Sequence, residues 1–272
     1  MTPRGVAQGF TLAELAMVII LTGLALGGIA VPLSVQVESV RATQARESID
    51  AIALSLLGYA QLHGHLPCPA DPTRAETAVG AGQARPLSGI DCEGGFWGAL
   101  PWSTLGVPQL DPWGRRYSYR VAREVANALD ECVGTVNRAH SICVSAPPSR
   151  SHHATQDALE VRERRSAGRY PAGTDPIATR VVAVIVSHGA NGFGAYLPSG
   201  RPIPTPAALA NGDEQRNNRS NTVSFITRLR AAPLSSCNDD DAGQPACGFD
   251  DVVGWVSRGG LIAHLARADR LR

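Results

Sequence analysis

The amino-acid sequence predicts an α+β protein: a long N-terminal helix, membrane-spanning in its first half and amphipathic in its second, packed on a small, mostly antiparallel β-sheet head with disulfide-closed loops. Three observations predict it. An uncharged stretch, Leu15 to Val37, leads into a helical apolar stripe; Val181 to Val186 is an unbroken β-branched and alanine run; and six cysteines all lie beyond residue 65. The 272 residues carry a net charge of +1 and only 18% charged side chains, with 44% hydrophobic ones. That balance excludes a disordered chain and a protein whose main work is wrapping nucleic acid, which needs a strong positive excess to displace counterions.

Taken in order, residues 1–9 (MTPRGVAQG) form a short leader whose one charged side chain is Arg4. The segment behind it, in an element spanning residues 10–37, exceeds the ~20 apolar residues that a ~30 Å hydrocarbon core requires. With Arg4 retained in the cytoplasm, the expected placement is single-pass in a bacterial inner membrane with the head in the periplasm. From 38 to 64 the helical pattern continues through Val40, Ala45, Ile49, Ile52, Leu56 and Tyr59, with Glu38, Arg41, Arg46, Glu47 and Asp50 on other faces. Gly64 and the prolines at 67, 69 and 72 end it, since glycine accepts a left-handed cap and proline cannot continue the ladder.

The head, residues 65–272, opens with a loop to about Pro108, followed by a short strand at Tyr117 to Val121. Residues 147–176, rich in Ser, Arg, Ala and His, read as an exposed insertion. Val181 to Val186 is the buried central strand, Ser187 to Ala195 a Gly- and Asn-rich turn, Thr222 to Leu229 and Val252 to Val256 further strands, and Leu261 to Leu271 a closing helix. The even set Cys68, Cys92, Cys132, Cys143, Cys237 and Cys247 predicts three disulfides in an oxidising compartment. Connectivity does not follow from sequence. Nearest-neighbour pairing (Cys68 with Cys92, Cys132 with Cys143, Cys237 with Cys247) would close three loops, each contributing roughly 2–4 kcal/mol. No two of these cysteines have zinc-finger spacing.

Gly9-Phe10-Thr11-Leu12-Ala13-Glu14, with an apolar helix directly behind it, resembles the processing motif of type IV pilins and type II secretion pseudopilins. The resemblance covers about the first thirty residues. It implies cleavage by a prepilin peptidase after Gly9, N-methylation of the new N-terminal Phe10, and a filament-assembly role for Glu14 at the fifth mature position. Pro32 stands one place later than the proline common in pilins. Physically, a carboxylate near the start of an apolar helix needs a partner, and the freed amine of Phe10 on a neighbouring subunit is the nearest candidate. The partners so implied are other pilin or pseudopilin subunits, the prepilin peptidase and the inner membrane. The long helix on a small sheet is also the fold the resemblance implies. Asp111-Pro112-Trp113-Gly114 resembles a segment of the major pseudopilins; its expected role is structural, with Asp111 accepting backbone N–H bonds and Gly114 turning the chain.

Asp239, Asp240, Asp241, Asp250 and Asp251 offer hard oxygen ligands that could take Ca²⁺, and major pseudopilins also hold calcium in a C-terminal loop. No other cofactor is expected. His63 and His65 near Cys68 read as a solvent-facing pair at a helix end. Ser187-His188 lacks any nucleophile elbow around it, so no catalytic residue is assigned and no small-molecule substrate is expected. Arg162, Arg164, Arg165 and Arg169 interleave with Glu160 and Glu163 without aromatic stacking partners, which reads as a solvated basic face rather than a nucleic-acid site. The function expected is therefore a minor structural subunit of a type II secretion pseudopilus or type IV pilus. Two alternatives remain: a tip-located minor pilin that binds DNA or a surface, and a signal-anchored periplasmic enzyme.

Overall fold

The computed structural model describes residues 11–88, 91–126, 158–164, 176–206, 212–231, 236–238 and 247–267, with the side chains of 23–35 outside that description. The chain divides into two compact units, Met1–Arg41 and Ala42–Arg272. Helix α1, Leu12–His63, begins in the first unit. Its start is a reciprocal cap: the Glu14 carboxylate accepts the Thr11 N–H at 2.8 Å and the Thr11 hydroxyl at 2.9 Å, while the Glu14 N–H approaches Thr11 Oγ1 at 3.3 Å. Two of the amides that a helix start leaves without partners are thereby satisfied.

In the second unit, α1 buries Ala45, Ile49, Ile52, Leu56 and Ala60, steps of four, three, four and four that keep one face on the core. Val40, read from sequence as part of this stripe, is about half exposed. The helix ends at Gly64, whose φ of 77° only glycine adopts freely and whose N–H bonds Ala60 O at 2.8 Å.

The remaining elements are β1 (Leu87–Ser88), β2 (Asp91–Cys92), β3 (Trp97–Ala99), α2 (Trp102–Leu105), β4 (Ser118–Val121), α3 (Arg123–Ala126), β5 (Leu159–Glu163), β6 (Ala178–Ser187), α4 (Asp213–Asn217), β7 (Ser224–Thr227), β8 (Val252–Ser257) and α5 (Arg258–Arg267). β1 and β2 pair with each other; the other six strands form one sheet around β6. β4 runs antiparallel along the C-terminal part of β6 (Ser118 opposite Val186), β5 along its start (Leu159 opposite Val181), and β8 along its other side from Val181–Ser257 to Ser187–Val252. β3 extends the sheet from β4, and β7 extends it from β5 in parallel. Flanked by strands on both sides and covered by α1, residues 181–187 of β6 are all buried, which is why their sequence shows no polar alternation.

Three expectations are corrected. First, the sheet is larger than expected and mixed: six strands whose pairings are antiparallel except that of β7, which joins β5 in parallel because the chain passes through β6 and α4 between them. Second, the N-terminal helix with a membrane half is not supported. Its side chains are described over 12–22 and from 36 onward, and its two ends belong to different compact units. Among the described residues no helix is long and apolar enough to cross a membrane, so the single-pass inner-membrane placement is not supported. Third, the part of the expected exposed insertion that is described, 158–164, is a strand within the sheet with Leu159 and Val161 buried. Apart from Pro176, the rest of 147–176 lies outside the described residues.

Cys68 and Cys92 are bonded, as are Cys237 and Cys247, with Cα–Cα separations of 5.6 and 4.9 Å. Both pairings are those of nearest neighbours. Cys132 and Cys143 lie outside the described residues, as do Gly9 and Phe10.

Candidate functional site

The chemistry of the second unit gathers where β6 ends. The β6–β8 register pairs Ser187 with Val252; continued by one and two residues, it sets Asp251 opposite His188 and Asp250 opposite Gly189. Gly189 has φ 54°, and a Cβ there would lie 2.3 Å from Asp250 O, so the turn tolerates no side chain at that point. Arg115 fastens the turn by donating to the carbonyls of Gly189 and Ala190.

Asn191 follows and links three segments. Its N–H donates to Asp250 Oδ2 at 2.8 Å, its amide nitrogen donates to both Glu214 oxygens at 2.9 and 3.0 Å, and its Oδ1 accepts Phe193 N–H at 2.9 Å. Glu214, on α4, also accepts Asp250 N–H at 2.8 Å. One residue before it, Asp213 has the opposite surroundings. Its buried carboxylate is held by Arg164 Nε at 2.7 Å, with Arg228 and Arg216 each at 3.4 Å. Asp213 is thus neutralised by arginines, whereas Glu214 meets further carboxylates.

Glu214, Asp250 and Asp251 each offer an oxygen, and these oxygens lie within 4.8 Å of one another. Asp251 Oδ2 accepts Asn217 Nδ2 at 2.9 Å, but among the described residues Asp251 Oδ1 and Asp250 Oδ1 have no hydrogen-bond partner, although the Asp251 side chain is 1% exposed. Burial first, then the charges of Asp251 and Asp250, push the Glu214 carboxyl up to about 9. The Asp250 carboxyl is also raised, chiefly by burial. Buried like charges with orphaned oxygens are costly unless a cation or protons join them. The donor set is all carboxylate oxygen, which fits a hard divalent cation such as Ca²⁺ and not a thiophilic metal.

Of the residues read from sequence as calcium ligands, Asp250 and Asp251 come together here, while Asp239, Asp240 and Asp241 lie outside the described residues. Glu214 was missed. Its only local signal is an acidic pair opening a five-residue helix, and its place beside Asp250 depends on how α4 packs in the folded unit.

His188 does not pair with Ser187. Ser187 Oγ donates to Asp111 Oδ2 at 2.7 Å on one side of β6, while His188 Nε2 lies 2.7 Å from Ser118 Oγ, and its Nδ1 faces Asp251 Oδ1 at 3.6 Å. Ser118 and His188 are buried, so a substrate has no route to this hydroxyl in the conformation seen. Asp111 accepts the N–H groups of Trp113 and Arg115 at 3.0 and 2.9 Å, and Gly114 has φ 80°, giving the Asp-Pro-Trp-Gly segment a structural turn tied to β6. The basic cluster is not a solvated face where it is described: Arg164 is buried against Asp213 and Arg162 bonds Glu160 at 2.5 Å. Arg165 and Arg169 lie outside the described residues. His63 stacks on Tyr59 with centroids 4.1 Å apart, and His65 meets the same ring edge-on at 5.7 Å. Tyr59 and His65 border an open depression of about 460 Å³ beside the Cys68 bridge.

Comparison with protein-family models, with curated proteins and with solved structures finds no match.

Proposed function

We propose that the chain is a pilin-like structural subunit, cut by a prepilin peptidase between Gly9 and Phe10, methylated at Phe10, and assembled with like subunits into a type II secretion pseudopilus or a type IV pilus. The observation that carries this reading is the Gly9-Phe10-Thr11-Leu12-Ala13-Glu14 segment standing directly at the start of α1. The Asp111-Pro112-Trp113-Gly114 turn supports the secretion branch of that family. The two disulfides support a head that works in an oxidising compartment outside the cytoplasm.

In this reading Glu14 has two tasks. Within its own subunit it caps α1 through Thr11; between subunits it receives the freed amine of Phe10 and sets the axial register. The Glu214, Asp250 and Asp251 cluster takes Ca²⁺ and ties α4, the turn after β6 and the approach to β8 into one block. The orphaned oxygens of Asp250 and Asp251 support that assignment.

Glu14→Ala tests the assembly step. The substitution lies in the first unit, so the second unit should keep its thermal transition while the amount of subunit in sheared filament fractions falls at least tenfold. Unchanged incorporation would refute the assembly role.

A further inference from the structure

We propose that Ser118 and His188 position Asp251 for the cation, an inference that rests on the cation reading of the Glu214, Asp250 and Asp251 cluster. Ser118 belongs to β4 and is paired with Val186; His188, one residue past the end of β6 and two beyond Val186, falls on the same side as Val186, which brings the hydroxyl and the ring together. The ring nitrogens then have distinct tasks. With the Ser118 hydroxyl donating to Nε2, the ring proton resides on Nδ1, the nitrogen that faces Asp251 Oδ1 at 3.6 Å. The opposite tautomer would aim a lone pair at a carboxylate oxygen.

The other half of Asp251 is fixed from a different direction. Asn217 donates to Oδ2 at 2.9 Å while its own Oδ1 accepts Ile226 N–H at 2.7 Å from β7. The Asn217 amide thus holds one oxygen of Asp251 by a hydrogen bond, while the His188 ring faces the other at 3.6 Å, too long for a hydrogen bond but close enough to orient it electrostatically. Among the described residues Asp251 Oδ1 lacks a hydrogen bond, although the side chain is almost wholly buried. Supports of this kind orient carboxylate ligands, and removing one typically costs about 10- to 100-fold in metal affinity. The arrangement has the members of a hydrolytic triad in order, but the buried hydroxyl and ring make it a brace for a carboxylate and not a nucleophile.

The test uses the full chain as wild type, Ser118→Ala and Ser118→Thr, titrated calorimetrically with calcium chloride after EDTA treatment and dialysis, with thermal melts in EDTA alongside. Ser118→Ala should raise the Kd for Ca²⁺ by about 10- to 100-fold while its EDTA melting temperature stays within a few degrees of wild type. Ser118→Thr, which keeps the hydroxyl, should return the affinity towards wild type. If wild type takes up no Ca²⁺, the cation reading fails and this inference with it. If wild type binds and Ser118→Ala binds equally tightly, the cation reading stands and the positioning role is overturned. An affinity loss matched by a large drop in the EDTA melting temperature overturns it as well, because Ser118 then acts only as a strut.

Discussion

Replacing Glu214 by Gln removes one titratable carboxyl from a buried three-carboxylate cluster and yields two effects of opposite sign. Without a cation, the Glu214 carboxyl titrates near 9 in the fold against a reference of 4.5, with burial the leading cause. A raised acid pKa means the folded state holds its proton more tightly than the unfolded chain. The stability tied to this group is complete below pH 4.5 and is lost progressively as pH rises through 9. At about 1.4 kcal/mol per unit the ceiling is on the order of 6 kcal/mol, spread over the cluster. Glu214→Gln abolishes that slope, so in EDTA at pH 8–9 it should melt above wild type. With Ca²⁺ the order reverses: a cation at a hundredfold its Kd stabilises by about 2.7 kcal/mol, or roughly 5–10 °C for a head of this size. Wild type should show that rise and Glu214→Gln should lack most of it. Differential scanning calorimetry at pH 5, 7 and 9, with EDTA and with millimolar Ca²⁺, reads all of these. Parallel curves for the two proteins in EDTA, or an equal calcium shift in both, would refute the reasoning.

Asp111→Ala leaves the Trp113 and Arg115 amides and the Ser187 hydroxyl without their shared acceptor, so a loss of about 2–4 kcal/mol is expected, read from the urea midpoint followed by tryptophan fluorescence. A Cβ at Gly254 would sit 2.1 Å from Ile49 Cγ2, where α1 lies directly on β8. Gly254→Ala should accordingly cost about 1–3 kcal/mol, and the Ile49→Ala, Gly254→Ala double variant should be more stable than the sum of the single effects in chemical denaturation.

The parts of this molecule that were legible in the sequence are those whose physics is local. Val181 to Val186 needs no neighbour to read as a buried strand, and the spacing of Ala45, Ile49, Ile52 and Leu56 marks one helix face. The even cysteine set pointed to disulfides without fixing their connectivity, and the two bridges described, Cys68–Cys92 and Cys237–Cys247, are the nearest-neighbour ones. The Asp111 turn was readable because a carboxylate, a proline and a glycine define it within four residues. What escaped depends on pairing between distant segments. β5 hides in a stretch of mixed Glu and Arg because its charged residues meet local partners: Arg162 bonds Glu160, and Arg164, directly after the strand, is buried against Asp213. Ser118 meets His188 across 70 positions through strand register, and Glu214 meets Asp250 across 36 through the packing of α4. The uncharged stretch 15–37 was read as a membrane span from hydropathy alone, whereas among the described residues no helix is long and apolar enough for one.

The central claim, a pilin-like subunit matured between Gly9 and Phe10, is tested most directly by intact mass. Protein from a strain with a prepilin peptidase should have lost residues 1–9 and gained one methyl group, and protein from a strain lacking the peptidase should retain the leader. Thiol reduction should add two mass units for each bridge, including Cys68–Cys92 and Cys237–Cys247. A leader present in both strains would contradict the account.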